Sequence, residues 1–241
     1  MLTNPTRPYP AVLGHRGARA YAIDNSADAF RLAHEQGADG VELDVRRTGD
    51  DHIVVHHDPD IAGLGPIIDA TLEDIRAAAP SVLLLDEALA LLPGIINVEI
   101  KNDPEQPDHD ERHEMASWIV SWIDRYWLHD RVFVSSFNHQ TVLRVTELDR
   151  RVTTGQLLGP ATDPANHLDT LKDAHIDMAI PHLTGLQLAG PGIGSDAAQF
   201  GISIVAWGVD THQAFELCAA SGIAGIITDD PADAIAFYAS E

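Results

Sequence analysis

Short β-rich runs alternate with longer helical patterns along the whole chain, and this alternation restricts the possible folds more than any other feature. Near-continuous apolar runs are typical of parallel strands buried on both faces, and helical segments supply the crossovers that such strands need. Eight runs recur, at residues 11–17, 39–48, 95–101, 132–137, 153–159, 177–183, 203–209 and 225–230. Eight strand–helix units in 241 residues predict a closed (β/α)8 TIM barrel, with a doubly wound open sheet as the alternative.

The helical patterns carry recognisable boundaries. Ser26 is a candidate N-cap for a helix that ends at Gly37. Residues 113–127 place apolar side chains on one helical face, and residues 141–148 and 213–220 behave similarly. Because no linker or compositional break divides the chain, we expect a single domain over residues 1–241.

The charge balance limits the partners. The chain has 15 basic and 37 acidic residues, for a net charge of −22 with histidine neutral. A nucleic-acid partner held by many lysine–phosphate contacts is therefore not expected, whereas a small anionic substrate needs only a local cation. Cys218 is the only cysteine, which rules out an intramolecular disulfide and a cysteine-rich zinc site.

The apolar runs are too short for a bilayer, and the first residues lack the apolar core of a signal peptide. We expect a soluble, cytoplasmic protein without stable membrane insertion. The sequence makes no prediction of the oligomeric state.

Polar residues follow the apolar part of several predicted strands, where a barrel carries its reactive groups. Glu42 and Asp44 are one residue apart on the second strand, so both carboxylates face the same side. Two buried like charges are costly unless a cation joins them, and carboxylate oxygens suit Mg²⁺ or Ca²⁺. The alternative is an edge strand with a solvated pair.

Glu99 and Lys101 repeat this spacing on the next core strand. Glu99 would complete a three-carboxylate metal site, and Lys101 would offer a positive charge to an anionic ligand. A purely structural ion pair between the two is the alternative.

Two histidine-containing strings supply acid–base groups. His15 and Arg16 close the first strand, and a guanidinium suits the paired oxygens of a phosphate. Residues 53–58, a short extension or hairpin partner of the second strand, supply a second imidazole, but alternation does not distinguish His56 from His57. Two imidazoles permit one base and one acid in a displacement at phosphorus.

Taken in order, seven strings resemble those of the glycerophosphodiester phosphodiesterases. They are GHRG (14–17), ADGVELDV (38–45), VVHHD (54–58), NVEIK (97–101), SSF (135–137), VAWGVD (205–210) and GIITDDP (225–231). The resemblance spans nearly the whole chain. It implies a TIM barrel that needs one divalent cation, Mg²⁺ or Ca²⁺, and hydrolyses small glycerophosphodiesters to glycerol 3-phosphate and an alcohol.

The resemblance also implies a role for individual residues. It implies that Glu42, Asp44 and Glu99 bind the metal, and that Arg16 and Lys101 contact the phosphate.

The same resemblance implies acid–base roles for His15 and His57, without saying which is the acid. His57 is preferred to His56 because the family's histidine directly precedes an aspartate. Trp207 would line the glycerol side of the pocket.

The chain departs from the family's pattern at three places. Asp24 stands where the family usually has glutamate, so any contact it makes must shift. Gly208 replaces a threonine after the tryptophan, and the segment after Asp58 is short, which predicts a reduced capping insertion after the second strand.

Two other functions remain open. One is a related barrel enzyme of the phospholipase D type, akin to sphingomyelinase D, that acts on lysophospholipids. An exposed apolar rim at the barrel mouth would favour this function. The other is a non-catalytic barrel that binds phosphorylated ligands, against which the retained histidines and carboxylates argue.

The remaining polar clusters are expected to be structural. Residues 108–113 are predicted to form a solvated loop and a helix start. Asp229 and Asp230 follow the eighth strand and are predicted to support the barrel mouth or to cap the final helix.

Overall fold

The structure is a computed structural model that describes residue 2 and residues 9–240. Along these residues lie twelve strands: β1 (Ala11–His15), β2 (Gly40–Arg47), β3 (Ile53–Val55), β4 (Asp60–Ile61), β5 (Gly65–Pro66), β6 (Leu83–Leu84), β7 (Ile95–Ile100), β8 (Val132–Ser136), β9 (Thr153–Leu158), β10 (Met178–Pro181), β11 (Ser203–Trp207) and β12 (Gly225–Thr228).

Eight of these strands, β1, β2 and β7 to β12, are parallel and form a closed barrel. Strand β1 pairs with β12 on one side and with β2 on the other, which closes the sheet. The predicted (β/α)8 barrel is therefore confirmed, and the open-sheet alternative is wrong.

Ten helices accompany these strands in the described part of the chain. They are α1 (Ala27–Glu35), α2 (Leu72–Ala78), α3 (Leu85–Leu89), α4 (Glu114–Arg125), α5 (His139–Leu148), α6 (Leu168–Asp173), α7 (Leu183–Ala189), α8 (Ile193–Gln199), α9 (His212–Ala220) and α10 (Pro231–Ala239), with 3-10 turns at Ile67–Asp69 and Pro164–His167. Most connect barrel strands on the outside, α2 and α3 lie between β3 and β7, and α10 follows the last strand. The Ser26 hydroxyl accepts from the Ala29 amide, so the predicted N-cap of α1 is confirmed.

The alternation of side chains along each strand separates two apolar layers. Leu13 and Ile227 belong to the cluster that fills the barrel interior, whereas their neighbours Val12 and Ile226 pack against the helices. This interior packing lies beneath the carboxyl ends of the strands, so the polar residues that follow it emerge at one mouth.

The insertion after β2 is a small substructure with its own apolar cluster. Strand β3 pairs antiparallel with β2, so the predicted hairpin is confirmed. The chain then forms β4 and β5, a 3-10 turn and α2, and buries Ile61, Ile67 and Ile75 against one another. Within the described residues, no helix is both long and apolar enough to cross a membrane.

Candidate active site

Three carboxyl groups converge at the mouth of the barrel. Glu42 and Asp44 lie on β2, and Glu99 lies directly opposite Asp44 on β7. All three are buried, and one oxygen of each lies within 4.8 Å of the others. Strand β2 is central, between β1 and β7, so the edge-strand alternative for the Glu42–Asp44 pair is wrong.

Two permanent cations face these carboxyl groups. The Lys101 Nζ atom lies 2.8 Å from Asp44 Oδ1 and 2.5 Å from Glu99 Oε1. The Arg16 Nε atom lies 3.2 Å from Asp44 Oδ2, and the Arg16 amide donates to Glu42 Oε2 at 3.0 Å. The ion pair between Lys101 and Glu99 therefore exists, but as one part of a larger charged cluster.

Burial and charge perturb the protonation of the carboxyl groups in opposite directions. Burial, reinforced by the neighbouring carboxylates, raises the pKa of Glu42 well above its usual value. Burial also tends to raise the pKa of Asp44, but the charges of Lys101 and Arg16 outweigh it and hold this pKa below its usual value. The cations therefore keep Asp44 ionised, while Glu42 is short of a positive partner.

The donor set fits a divalent cation. Among the described residues, the buried Oε1 atom of Glu42 has no hydrogen-bond partner. The three carboxyl groups of the cluster face two permanent cations, so full ionisation leaves an uncompensated negative charge. Carboxylate oxygens in this number suit a hard ion such as Mg²⁺ or Ca²⁺. Such an ion would give the Glu42 Oε1 atom a partner and would compensate the excess negative charge.

His15 ends β1 beside the carboxylate cluster. Its Nδ1 atom lies 2.6 Å from Asp229 Oδ1, and its Nε2 atom lies 4.0 Å from Glu42 Oε2. Asp229 follows β12, the barrel neighbour of β1, and its contact with His15 was not predicted from the sequence. The adjacent Asp230 accepts from the Asp233 amide and caps α10, as expected for one of the two aspartates.

His57 is the histidine of the VVHHD string that reaches the site. It lines both cavities at the mouth, whereas His56 lines neither. Its Nδ1 atom lies 2.7 Å from Asp58 Oδ1. Burial, together with the charge of Lys101, lowers the pKa of His57, so the ring is neutral near pH 7.

A tight turn holds Arg16 over the cluster. Arg16 has a φ of 53° and is followed by Gly17 with a φ of 86°. A Cβ atom on Gly17 would lie 2.6 Å from the Ala29 carbonyl carbon, so only glycine allows this approach to α1. Asp24, although shorter than the family's glutamate, accepts from Arg16 Nη1 at 2.9 Å.

Trp207 ends β11 on the opposite side of the mouth. Its ring centroid lies 4.5 Å from that of His182 and 5.8 Å from that of Phe137, and its Nε1 donates to the Leu158 carbonyl. Gly208 has a φ of 72°, and a Cβ atom there would lie 2.8 Å from His182 Nε2. The packing of His182 thus accounts for glycine at this position.

Two cavities meet at Lys101, His57 and Glu99. The smaller one, about 120 Å³, has an apolar wall of Leu157, Trp207 and Ile227. The larger one, about 560 Å³, is lined by a more polar set: Arg46, Asn102, Asp103, Gln106 and Asn138. Loop residues 101–106 after β7 contribute to this wall, whereas the insertion at residues 58–84 contributes to neither cavity.

Part of the 108–113 segment was wrongly predicted to be solvated. The Asp108 side chain is 4% exposed and forms an ion pair with Arg46 on β2, because the loop folds back over the barrel mouth. Glu111 and Arg112 are exposed as expected, and α4 begins at Glu114.

Comparison with known proteins places the chain among described relatives. Residues 15–233 match the family model described as the glycerophosphoryl diester phosphodiesterase family. The chain is 29% identical over 239 residues to a glycerophosphodiester phosphodiesterase of Caldanaerobacter subterraneus subsp. tengcongensis, covering 91% of this chain and 94% of that protein.

Two solved structures share the fold. A glycerophosphodiester phosphodiesterase from Thermotoga maritima aligns with a TM-score of 0.76 and 23% identity, over 95% of this chain and 98% of that one. A phosphodiesterase from Oleispira antarctica, in complex with its product sn-glycerol-3-phosphate, aligns with a TM-score of 0.80 and 20% identity, over 95% and 96% of the two chains.

A barrel of this kind that matches such a family over most of its length is an enzyme of the phosphoric diester hydrolase class. Because the family model covers residues 15–233, the chain belongs to the glycerophosphoryl diester phosphodiesterase family.

Proposed function

We propose that the protein hydrolyses small glycerophosphodiesters to glycerol 3-phosphate and an alcohol, with a divalent cation and with two histidines as acid and base. The observation that carries this proposal is the convergence of three buried carboxyl groups, two cations and two imidazoles on one barrel mouth. Few structural roles require such a concentration of buried charge beside a cavity.

Glu42, Asp44 and Glu99 would hold the cation, Mg²⁺ or Ca²⁺. When bound, it supplies a Lewis acid that polarises a phosphoryl oxygen and lowers the pKa of an attacking hydroxyl. Arg16 and Lys101 would bind the phosphate and stabilise the charge that it gains in the transition state. These local cations attract an anion although the protein as a whole is acidic.

The two histidines are suited to different proton transfers. His57, kept neutral by burial and by Lys101, would accept the proton of the attacking hydroxyl. His15, whose Nδ1 is paired with the Asp229 carboxylate, would donate a proton from Nε2 to the leaving alkoxide. A carboxylate at Nδ1 stabilises the charged ring and fixes its orientation.

The two cavities would divide the substrate. The glycerol carbons would pack on Trp207 in the smaller, apolar-walled cavity, and the alcohol would extend into the larger, polar one. Lys101 lines both cavities, so a phosphate bound at Lys101 would lie where the two cavities meet.

One observation supports lysophospholipids as a second substrate class. Tyr21 and Ile23, in the loop after β1 that also carries Arg16, are 60% and 71% exposed, so apolar surface borders the mouth. A barrel that only binds phosphorylated ligands is less consistent with the site, because binding alone has no need of two oriented imidazoles.

A panel of phosphodiesters tests the proposal. Glycerophosphocholine, -ethanolamine, -glycerol and -inositol and a lysophospholipid are incubated with the protein in the presence of Mg²⁺, Ca²⁺ or Mn²⁺, and the products are identified. Release of glycerol 3-phosphate supports the proposal; turnover of lysophospholipids alone supports the second class; tight binding without turnover supports the non-catalytic alternative.

A further inference from the structure

Arg46 is a buried guanidinium to which the proposed mechanism gives no role. It follows Glu42 and Asp44 at alternate positions of β2, so it lies on the same side of the strand, one step further out. Its side chain is 1% exposed. Because burying a guanidinium is costly unless its donors are used, its partners indicate what it holds in place.

The guanidinium joins two separate segments of the mouth. Its Nε and Nη2 atoms both donate to the carbonyl oxygen of His57, at 2.8 Å and 2.5 Å. Its Nη1 atom donates to Asp108 Oδ2 at 2.5 Å, and Nη2 also donates to Gln106 Oε1 at 2.9 Å. The planar fork of arginine is required for this pattern, which lysine cannot reproduce.

Both segments lie outside regular secondary structure. His57 lies two residues after the end of β3, and the amide of His56 between them donates to the Asp44 carbonyl at 3.0 Å. Residues 101–113 connect β7 to α4 without a helix or a strand, and Asn102 Oδ1 accepts from the Asp110 amide at 2.8 Å. Arg46 therefore crosslinks the centres of two loops whose ends are fixed elsewhere.

We propose that Arg46, with Asp108 as its counter-ion, is a positioning residue that fixes the His57 imidazole relative to the carboxylate cluster. The same contacts fix the wall of the larger cavity, since Arg46, His57 and Gln106 all line it. This inference rests on the proposed function, in which His57 accepts a proton. A displacement of a catalytic group by about 1 Å lowers the rate by roughly a hundredfold.

A double-mutant cycle tests the inference. The variants Arg46→Lys, His57→Ala and their combination are compared with the unmutated enzyme on glycerophosphocholine. We expect Arg46→Lys to lower kcat about 10- to 100-fold and to change KM much less, because Arg16 and Lys101 still bind the phosphate and only the wall around the alcohol loosens. In the His57→Ala background the same substitution is expected to cost less than about twofold, since residues that act through one another are not additive.

Arg47 provides the matched control. It is the next residue on the strand and carries the same charge, but it points outward and lies 3.2 Å from Glu114. Arg47→Lys is expected to leave kcat and KM unchanged. If Arg46→Lys does not fold, Asp108→Asn, which keeps the shape of the side chain and removes the counter-charge, takes its place in the cycle.

The outcomes distinguish failure of the positioning role of Arg46 from failure of the proposed acid–base role of His57. An equal loss of kcat in both backgrounds, or no loss in either, overturns the positioning role while leaving the proposed function intact. Full activity of His57→Ala contradicts the proposed acid–base chemistry and, with it, any action of Arg46 through His57.

Discussion

His15 and Asp229 connect the first and the last strand of the barrel, with 2.6 Å between Nδ1 and Oδ1. The pair exists because β1 and β12 are neighbours in the closed sheet. Burial tends to raise the pKa of Asp229, but the hydrogen bond and charge of His15, together with the charges of Arg19 and Arg16, lower it overall, so the partner of His15 is a carboxylate. An ionised partner at Nδ1 leaves Nε2 directed towards the cluster, as an acid–base group requires.

Removing the charge of Asp229 tests this relationship. Asp229→Asn is expected to lower kcat by at least about tenfold, because the amide neither fixes the tautomer nor stabilises the charged ring. Steady-state kinetics on glycerophosphocholine measure the change. Asp230→Asn is the matched control, since asparagine is as good an N-cap as aspartate and α10 should be unaffected. Equal effects of the two substitutions would show that Asp229 has no special relation to His15.

The lowered pKa of His57 predicts the acid side of the pH–rate profile. A base must be neutral to accept a proton, so activity is lost as pH falls through the pKa of His57. Burial and Lys101 hold that pKa below the usual value of 6.5. We therefore expect the acid limb of the kcat/KM profile to have its midpoint below pH 6.5. A midpoint above 6.5 in a profile measured at saturating Mg²⁺ would be incompatible with this environment.

The unpartnered Oε1 atom of Glu42 predicts a trade-off between stability and cation binding. Glu42→Gln removes a like-charged neighbour of Asp44, so without added metal its thermal unfolding temperature should equal or exceed that of the unmutated protein. The stabilisation by Mg²⁺ or Ca²⁺, about 2.7 kcal/mol at a hundred times Kd, should be lost. Thermal unfolding with and without each ion measures both effects.

The control for that experiment lies at the protein surface. Asp124, His129 and Asp149 also bring ligand atoms within 4.8 Å, but the cluster is partly exposed and Arg151 lies 2.7 Å from Asp149 Oδ2. Asp149→Asn should therefore leave the cation-induced stabilisation unchanged. If the cation-induced stabilisation persists in Glu42→Gln and disappears in Asp149→Asn, the cation binds at the surface cluster, and the proposed site at Glu42 is contradicted.

Restoring the family's threonine at Gly208 is expected to be harmful. The φ of 72° costs a residue with a Cβ atom about 1–2 kcal/mol, and that atom would also meet His182. We expect urea denaturation of Gly208→Thr to show at least this loss, and KM to rise because His182 supports Trp207. Adding His182→Ala should recover part of the stability by removing the clash. Undiminished stability of the single variant would be evidence against this packing.

Alternation and chain order were enough to predict the barrel and the convergence of its carboxyl groups. Glu42 and Asp44 had to share one side of β2, and Glu99 had to follow on the neighbouring parallel strand. Alternation also places Arg46 on that side, but a charged residue next to Arg47 is typical of an exposed strand end. The position of Arg46 on the strand therefore indicated that it faces the barrel mouth, but its residue type favoured an exposed interpretation.

Contacts made by irregular loops could not be derived in this way. Asp108 lies in a loop without periodicity, so no sequence rule places it against Arg46, 62 residues earlier. Barrel closure predicts that the end of β12 lies beside β1, but the conformation of the turn decides whether Asp229 or Asp230 faces His15. The same applies to His56 and His57. The register of the three-residue strand β3 decides which of them faces the site, and that register could not be derived from the sequence.

The requirement for a divalent cation at Glu42, Asp44 and Glu99 is the central claim, and chelation tests it most directly. The rate of glycerol 3-phosphate release from glycerophosphocholine is measured after dialysis against EDTA and again after adding Mg²⁺ or Ca²⁺. We predict that EDTA abolishes turnover and that at least one ion restores it in the unmutated protein but not in Asp44→Asn. Undiminished hydrolysis in EDTA, or full restoration in Asp44→Asn, would contradict the account.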